Sequence, residues 1–528
     1  MNHVFDPTQE QELIIDKCKA LQKGEKLRVA AFAGAGKTST IILIADALSK
    51  KYRKGIYLAF NKGIAEEAKS KLPNHVEART FHSLAYRQVS KSIIKKLRYT
   101  HFFMLNNFLD FINTTLSVQK LTFTQYNEIS KREVKGSITL TPARQFNIVK
   151  AAVGLYCRSE DTAPKKWIME YAARHVLPYD NLTLDKKSVK WLESNLFPYV
   201  KAVWKDFKSP KGIFQIPHDV YLKIFALKAP QLPYDYILFD EAQDTDGLML
   251  SILNAQTNTR IIFVGDPYQQ IYDWRGAVNA MERIDGDMCY LTKSFRFGEN
   301  IASIADLFLH YLSSPETISG GNPDIGLIDS ETLYPEDIDV ILTRTNAGAI
   351  SIAIDYMLEY PDKRINLHNL DGLTNLVNTV RDISHLKKGN PDIENEALKN
   401  FDSYDELAEY CIAFNDSVLC LAFLLEKSRG YKAVKQAVEE CHCTNPDVSI
   451  TTVHRSKGLE WNNVMLASDF QPISYTVKEE GDKQIVRIKN SAECRLLYVA
   501  VTRAKKKLYI GHIAPLIESL KGGSINRD

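Results

Sequence analysis

The chain has 528 residues, 45% hydrophobic and 25% charged, with a formal net charge of +3. These proportions belong to a globular protein and exclude a collagen-like, coiled-coil or wholly disordered chain. No apolar run approaches the ~20 residues that span a bilayer, and no basic-then-apolar leader opens the sequence. The eight cysteines are scattered in a chain large enough to bury its core without disulfides. An intracellular protein of roughly three or four domains, with reduced thiols and no membrane partner, is therefore expected.

Short β-branched runs predict buried strands in chain order. They run from Leu27 to Phe32, Ile56 to Phe60, Tyr236 to Phe239, Arg260 to Val264, Asp339 to Leu342, Val448 to Val453, Val464 to Leu466 and Leu508 to Gly511. Helical patterns lie between many of them, which predicts an α/β fold built on parallel sheets. The strands fall into two sets, parting near residue 280. Each set is interrupted by a segment with helical patterns and few strand signals, at 86–215 and at 361–445. The first interruption is basic: from Arg87 to Lys211 there are 22 Lys and Arg against 10 Asp and Glu, whereas the rest of the chain is net acidic. It also carries Phe102, Phe103, Phe108, Phe111, Trp167, Trp191 and Trp204. Two readings stand for these aromatics: the core of a helical domain, or platforms on which bases stack beside phosphate-neutralising cations.

The run Ala31-Phe32-Ala33-Gly34-Ala35-Gly36-Lys37-Thr38 lies between a strand pattern and a helical one, the context of a P-loop. Gly34 and Gly36 let backbone N–H groups turn toward phosphate oxygens at a helix N-terminus. Lys37 is placed to reach the β- and γ-phosphates of ATP, and Thr38 to hold Mg²⁺. Ala31 stands where the strict pattern has glycine. The second half of such a site is Asp240-Glu241, which closes the apolar run Tyr236-Ile237-Leu238-Phe239. Asp240 suits Mg²⁺ and Glu241 suits activation of the attacking water. Cys441-His442-Cys443 lacks a second ligand pair at zinc spacing and is a poor metal site.

With those two motifs in place, the chain resembles the UvrD-like group of superfamily 1 helicases, and in wording most nearly the helicase part of the F-box DNA helicases. The resemblance is an ordered series covering nearly the whole chain. Phe5-Asp6-Pro7-Thr8-Gln9 resembles the adenine-reading segment, with Gln9 as reader. Phe60-Asn61 and Thr80-Phe81-His82-Ser83 resemble the first single-strand contacts: Phe60 at a base, and Asn61, Thr80 and His82 at the backbone. In Gly265-Asp266-Pro267-Tyr268-Gln269-Gln270-Ile271-Tyr272-Asp273-Trp274-Arg275, the resemblance makes Gln269 the γ-phosphate sensor. It makes Tyr272 and Trp274 slots for passing bases, with Arg275 as a further DNA contact. Phe295 and Arg296 correspond to an adenine-stacking ring and a γ-phosphate contact, His454 to a strand contact, Glu460 to a nucleotide contact and Arg503 to the arginine finger.

The resemblance implies two RecA-like parallel-sheet motor domains, at 1–85 with 216–280 and at 281–360 with 446–528. Each has a mainly helical insertion, the basic one at 86–215 and a small accessory one at 361–445. The Gly34, Ala35, Gly36, Lys37, Thr38 and Ser39 run completes the ATP site, although Ser39 stands where many relatives carry an arginine, and Phe295 replaces a frequent tyrosine. The implied activity is ATP-driven movement, 3′ to 5′, on single-stranded DNA and at single-strand/duplex junctions, serving repair, recombination or replication. Two further readings stay open: a translocase that strips proteins from single strands, suggested by the short accessory segment, and a DNA-sensing ATPase subunit of a larger complex, for example with a nuclease. No F-box-like segment and no nuclease motif cluster is recognised.

Overall fold

The computed structural model describes residues 6–98, 103–127, 132–177, 182–271, 279–328, 337–368, 370–395, 398–413, 418–471, 473, 475–480, 483–488 and 491–522. The chain divides into two compact units. The first takes the residues up to Ala30, Thr38–Pro267 and the stretch ending at Cys289; the second takes Ala31–Lys37, Tyr268–Ile271 and everything from Tyr290 onward.

A six-stranded sheet underlies the first unit, in the order Val76–Thr80, Gly55–Ala59, Tyr236–Phe239, Arg260–Gly265, Lys26–Ala31, Asp287–Leu291. The first five strands pair in parallel. Gly55–Ala59, Tyr236–Phe239 and Arg260–Gly265 are buried at every position, which is why they read as unbroken apolar runs rather than alternating ones. The parallel arrangement brings the carboxyl ends of these strands together. Phe60, Asp240 and Asp266 each follow directly after one of them, where open α/β sheets place their ligands.

The second unit repeats the plan. Its sheet runs Gly326–Ile328, Ala504–Tyr509, Trp461–Leu466, Val340–Thr343, Val448–Thr452, Ile365–Leu367, parallel throughout. The accessory helices Leu370–Lys387, Tyr404–Ala413 and Val418–Glu440 share a core with the adjoining edge of that sheet, including Leu376, Val380, Leu407, Phe423 and Val434. Gly430, at φ 76°, breaks the last helix into two arms.

Three sequence expectations shift. The basic insertion is mainly helical, but it also carries an antiparallel sheet of Gln119–Asn127, Arg132–Leu140 and Thr183–Leu184. Its strands are polar and mostly exposed along Arg132–Leu140, so no apolar run announced them. Asp287–Leu291 joins the first sheet although it lies beyond residue 280, and Ile365–Leu367 joins the second sheet although it lies within 361–445. Both are short edge strands whose partners are remote in sequence. Several aromatics of the insertion form its core. Phe103 packs on Phe108, Phe146, Phe207 and Phe214 at centroid distances of 4.8–5.8 Å, and Trp204 is buried on Tyr156. Trp167 stands outside this core, 49% exposed; Phe102 lies outside the described residues. Seven of the eight cysteines are buried, and none is joined in a disulfide.

Candidate nucleotide and nucleic-acid sites

The P-loop leaves strand Lys26–Ala31 and enters helix Lys37–Ser49 through two left-handed glycines, Gly34 at φ 75° and Gly36 at φ 79°. Within the second unit its backbone is held from several sides. Phe32 N–H donates to Leu291 C=O (3.0 Å), Ala33 N–H to the Tyr498 hydroxyl (3.2 Å), and Phe295 N–H to Gly34 C=O (2.8 Å). A methyl at Gly34 would lie 2.5 Å from Ser294 Oγ and 2.6 Å from Arg296 Cβ, so sterics and backbone both require glycine. Ala35 is buried, Lys37 half-buried, and Thr38 and Ser39 exposed. Gln9, the first residue of helix Gln9–Ala20, is exposed as well. That helix is capped by a reciprocal Thr8–Gln11 box, and the buried amide of Gln11 also donates to Thr40 Oγ1 at 2.9 Å. Gln11 thus locks the Gln9 helix to the P-loop helix inside the first unit, a role its sequence position gave no sign of.

Asp240 is buried at the end of its strand. The Tyr57 hydroxyl donates to Oδ2 at 2.6 Å and Glu241 N–H donates to Oδ1 at 2.9 Å. Burial first, then the neighbouring Asp240 charge, drives the Tyr57 pKa far up, so the phenol stays a donor. Glu241 sits in a left-handed backbone, φ 54° and ψ 42°, an uncommon conformation for a side-chain-bearing residue and one that gathers at functional sites. Its Oε2 accepts from Gln243 Nε2 at 2.6 Å, and Gln243 Oε1 accepts Asp266 N–H at 3.1 Å. The oxygen-only pair of Thr38 and Asp240 suits a hard cation such as Mg²⁺. Among the described residues no cluster of three or more His, Cys, Asp or Glu forms a metal cage.

In the second unit, Gln269 accepts twice: Arg503 Nη2 donates to its Oε1 (3.3 Å) and Lys457 Nζ to its carbonyl (2.6 Å). Arg503 is buried, and further donates to Val499 C=O, Leu459 C=O and Thr502 Oγ1. Arg296 reaches Thr502 C=O at 2.7 Å and ion-pairs with Glu460 at 2.8 Å. Glu460 pairs on its other side with Lys505. Burial opposes the Glu460 charge, but Lys505 and Arg296 outweigh it and hold the carboxyl below its ordinary range. Phe295 is exposed at 44%. Arg296, Gln269, Glu460 and Arg503 thus share a single polar network within the second unit, with Thr502, Lys457 and Lys505 as further members to which the sequence gave no role. Tyr57 and Gln243 hold Asp240 and Glu241 within the first unit and were likewise given no role.

The candidate strand contacts sit at helix starts. Phe60 is exposed, and Asn61 caps helix Lys62–Lys71 by accepting Ile64 N–H at 2.9 Å. Thr80 caps Phe81–Gln88 in a reciprocal box with Ser83. His82 faces Asp219 (3.4 Å), which also accepts from Arg158 at 3.0 Å. Burial would raise the Asp219 pKa, but His82 and Arg158 together bring it below its ordinary value. His454 is half-buried in the short helix Val453–Ser456. Tyr272, Trp274 and Arg275 lie outside the described residues.

Residues 16–285 match the UvrD/REP helicase N-terminal domain and residues 291–514 the UvrD-like helicase C-terminal domain. Over 98% of its length the chain is 29% identical to F-box DNA helicase 1 of Gallus gallus, covering 50% of that protein. Over 98% of its length it is also 28% identical to F-box DNA helicase protein 1 of Schizosaccharomyces pombe, covering 59% of it. The chain therefore spans little more than half the length of these curated relatives. It is 25% identical to Gabija protein GajB of Bacillus cereus (strain VD045), across 60% of the chain and 72% of that protein. Among the described residues no helix is long and apolar enough to cross a membrane.

Proposed function

From the premise that this chain belongs to the UvrD/REP helicase family, we propose that it hydrolyses ATP to move 3′ to 5′ along single-stranded DNA and to part the duplex ahead of it, in repair, recombination or replication. The observation that carries the reading is the tie between Gln269 and Arg503. Gln269 lies three residues before Tyr272 in the sequence. A group that senses the γ-phosphate is therefore almost contiguous with the rings assigned to the bases, so a change at one is felt at the other.

In this reading the P-loop amides and Lys37 hold the ATP phosphates, with Gln9 and Phe295 on adenine and Glu460 on the nucleotide. Thr38 and Asp240 would hold Mg²⁺, which supplies charge neutralisation at the phosphate oxygens. Glu241 orients the attacking water and accepts its proton. Arg296 and Arg503 spread the charge that develops on the transferring phosphoryl group, a task suited to a planar, permanently charged guanidinium. Phe60, Tyr272 and Trp274 stack on bases without regard to sequence, as a motor requires, while Asn61, Thr80, His82, Arg275 and His454 meet the strand backbone.

The test is strand separation on matched duplexes with a 3′ or a 5′ single-stranded tail, with Lys37→Ala and Glu241→Gln as controls. Activity with the 3′ tail alone, lost in both variants, is expected. Activity with the 5′ tail alone would overturn the polarity, and near-normal ATP turnover in either variant would overturn the site. ATP turnover stimulated by single strands without any duplex separation would favour the protein-stripping or sensing roles.

A further inference from the structure

Helix Ile168–Val176 of the basic insertion presents two apolar faces. Ile168, Met169, Ala172 and Ala173 are buried against the rest of the insertion. The opposite face carries Trp167, Tyr171 and His175, spaced four residues apart and so aligned along one side of the helix. All three are exposed: Trp167 at 49%, Tyr171 at 36%, and His175 in the same class. Isolated exposed apolar residues call for no explanation, but a contiguous row of rings does.

The row is held in place rather than loose. Trp167 Nε1 donates to Asp161 at 3.0 Å, and the Tyr171 carbonyl accepts from His175 Nδ1 at 2.9 Å. Trp167 and Tyr171 lie 6.3 Å apart edge-on, and Tyr171 and His175 lie 4.4 Å apart at 34°. The exposed side chains of Lys165, Lys166 and Arg174 flank the rings, paired with Asp161, Glu193 and Glu170. Glu193 and Glu170 keep part of their surface in solvent, so Lys166 and Arg174 can turn to a phosphate at small cost, whereas Lys165 is held to the largely buried Asp161. The surrounding segment carries 22 Lys and Arg against 10 Asp and Glu.

The row also leads somewhere. His175 lines a cleft of about 270 Å³ whose walls include Lys150, Arg158 and Asp219, and Asp219 is the partner of His82. We propose that Trp167, Tyr171 and His175 form a base-stacking stripe that carries an unpaired DNA strand onward from His82, across this cleft and along the basic insertion. The stripe rests on the single-strand reading given above. Rings in series bind unpaired bases whatever their sequence, whereas the bases of a duplex present no open faces to them.

The experiment uses the full chain and a fluorescein-labelled oligo-dT, with binding followed by anisotropy and by quenching of tryptophan emission. Trp167→Ala with Tyr171→Ala is expected to weaken single-strand affinity by about fivefold or more per ring removed. Trp167→Phe and Tyr171→Phe should keep the affinity, and Trp167→Phe should abolish one component of the quenching. Equal weakening on a blunt duplex would overturn the single-strand assignment, as would phenylalanine variants that bind no better than the alanine ones. Unchanged affinity in the double alanine variant, with the parent chain binding well, would overturn the stripe alone. A parent chain that binds no single strand would overturn the proposed function together with it.

Discussion

The side-chain amide of Gln243 joins the carboxylate of Glu241 to the backbone of Asp266, donating to the first at 2.6 Å and accepting from the second at 3.1 Å. A fully buried amide therefore fixes the group assigned to the attacking water against the end of a central strand. Gln243→Leu is expected to lower kcat for ATP hydrolysis roughly ten- to hundredfold, because a catalytic carboxylate displaced by about 1 Å loses that much, while ATP binding holds. Gly265→Ala should act in the same direction, since its methyl would lie 2.3 Å from Gln243 Oε1. Steady-state turnover beside equilibrium ATP binding checks both, and an undiminished kcat in Gln243→Leu would remove the positioning role.

Arg503 and Gln269 should behave as one unit. Arg503→Ala and Gln269→Ala are each expected to depress turnover, and the double variant to lose less than the two effects combined. The coupling between groups in direct contact is about 0.5–3 kcal/mol. A double-mutant cycle on kcat measures it, and strict additivity would mean that the 3.3 Å contact has no part in hydrolysis.

Tyr57→Phe removes the donor to Asp240 Oδ2. A buried carboxylate deprived of a hydrogen bond costs about 1–3 kcal/mol, so the variant should melt earlier and need more Mg²⁺ for half-maximal turnover. A thermal melt together with a Mg²⁺ titration of ATPase checks the pair of effects. A variant matching the parent in both would show the phenol to be dispensable.

Asp246 gives a pH prediction. It caps helix Gly247–Asn254 by accepting Met249 N–H at 2.8 Å, and its pKa is pushed up to about 6, chiefly by burial with the Asp219 charge adding to it. The folded chain thus keeps a proton that the unfolded chain releases near pH 4. Stability from this group is present below about pH 4 and is lost as pH rises through 6. Asp246→Asn keeps a competent cap and removes the charge. It should stabilise the fold by about 1–3 kcal/mol at neutral pH, with the gain vanishing near pH 4. Denaturant melts of both chains across that range check the sign, and a gain that grew on acidification would contradict it.

The parallel sheets and the nucleotide motifs were legible because buried strands in α/β layers are unbroken apolar runs, and because phosphate chemistry demands particular residues at fixed spacing. All eight predicted strands have counterparts in the sheets. Gly326–Ile328 and Ile365–Leu367 are three residues long, too little for a pattern. The paired strands Gln119–Asn127 and Arg132–Leu140 are polar on most of their length, and their buried apolar positions Leu121, Phe123, Ile138 and Leu140 are too scattered to form an apolar run. Within the candidate site, the residues assigned to phosphate carry a sequence motif, whereas those that hold them in place do not. Gln243 sits two residues from Glu241 and could have been found by asking what steadies that carboxylate. Tyr57, Gln11 and Lys457 meet their partners only through the fold, from 183, 29 and 188 positions away.

Ala59 and Thr80 face each other in register at the ends of two adjacent parallel strands. The two places where a DNA strand is expected to be gripped therefore lie side by side, one strand spacing of about 4.8 Å apart. That interval is set by main-chain pairing, and Asn61 and Thr80 already have side-chain oxygens committed to starting helices. In the proposed role, side chains along this edge would set how hard a strand is held, while main-chain pairing sets how far apart the two contacts lie. Apart from those two caps, exchanging residues of the paired strands for other strand-formers would alter what is offered to a DNA strand and leave the ruler unchanged.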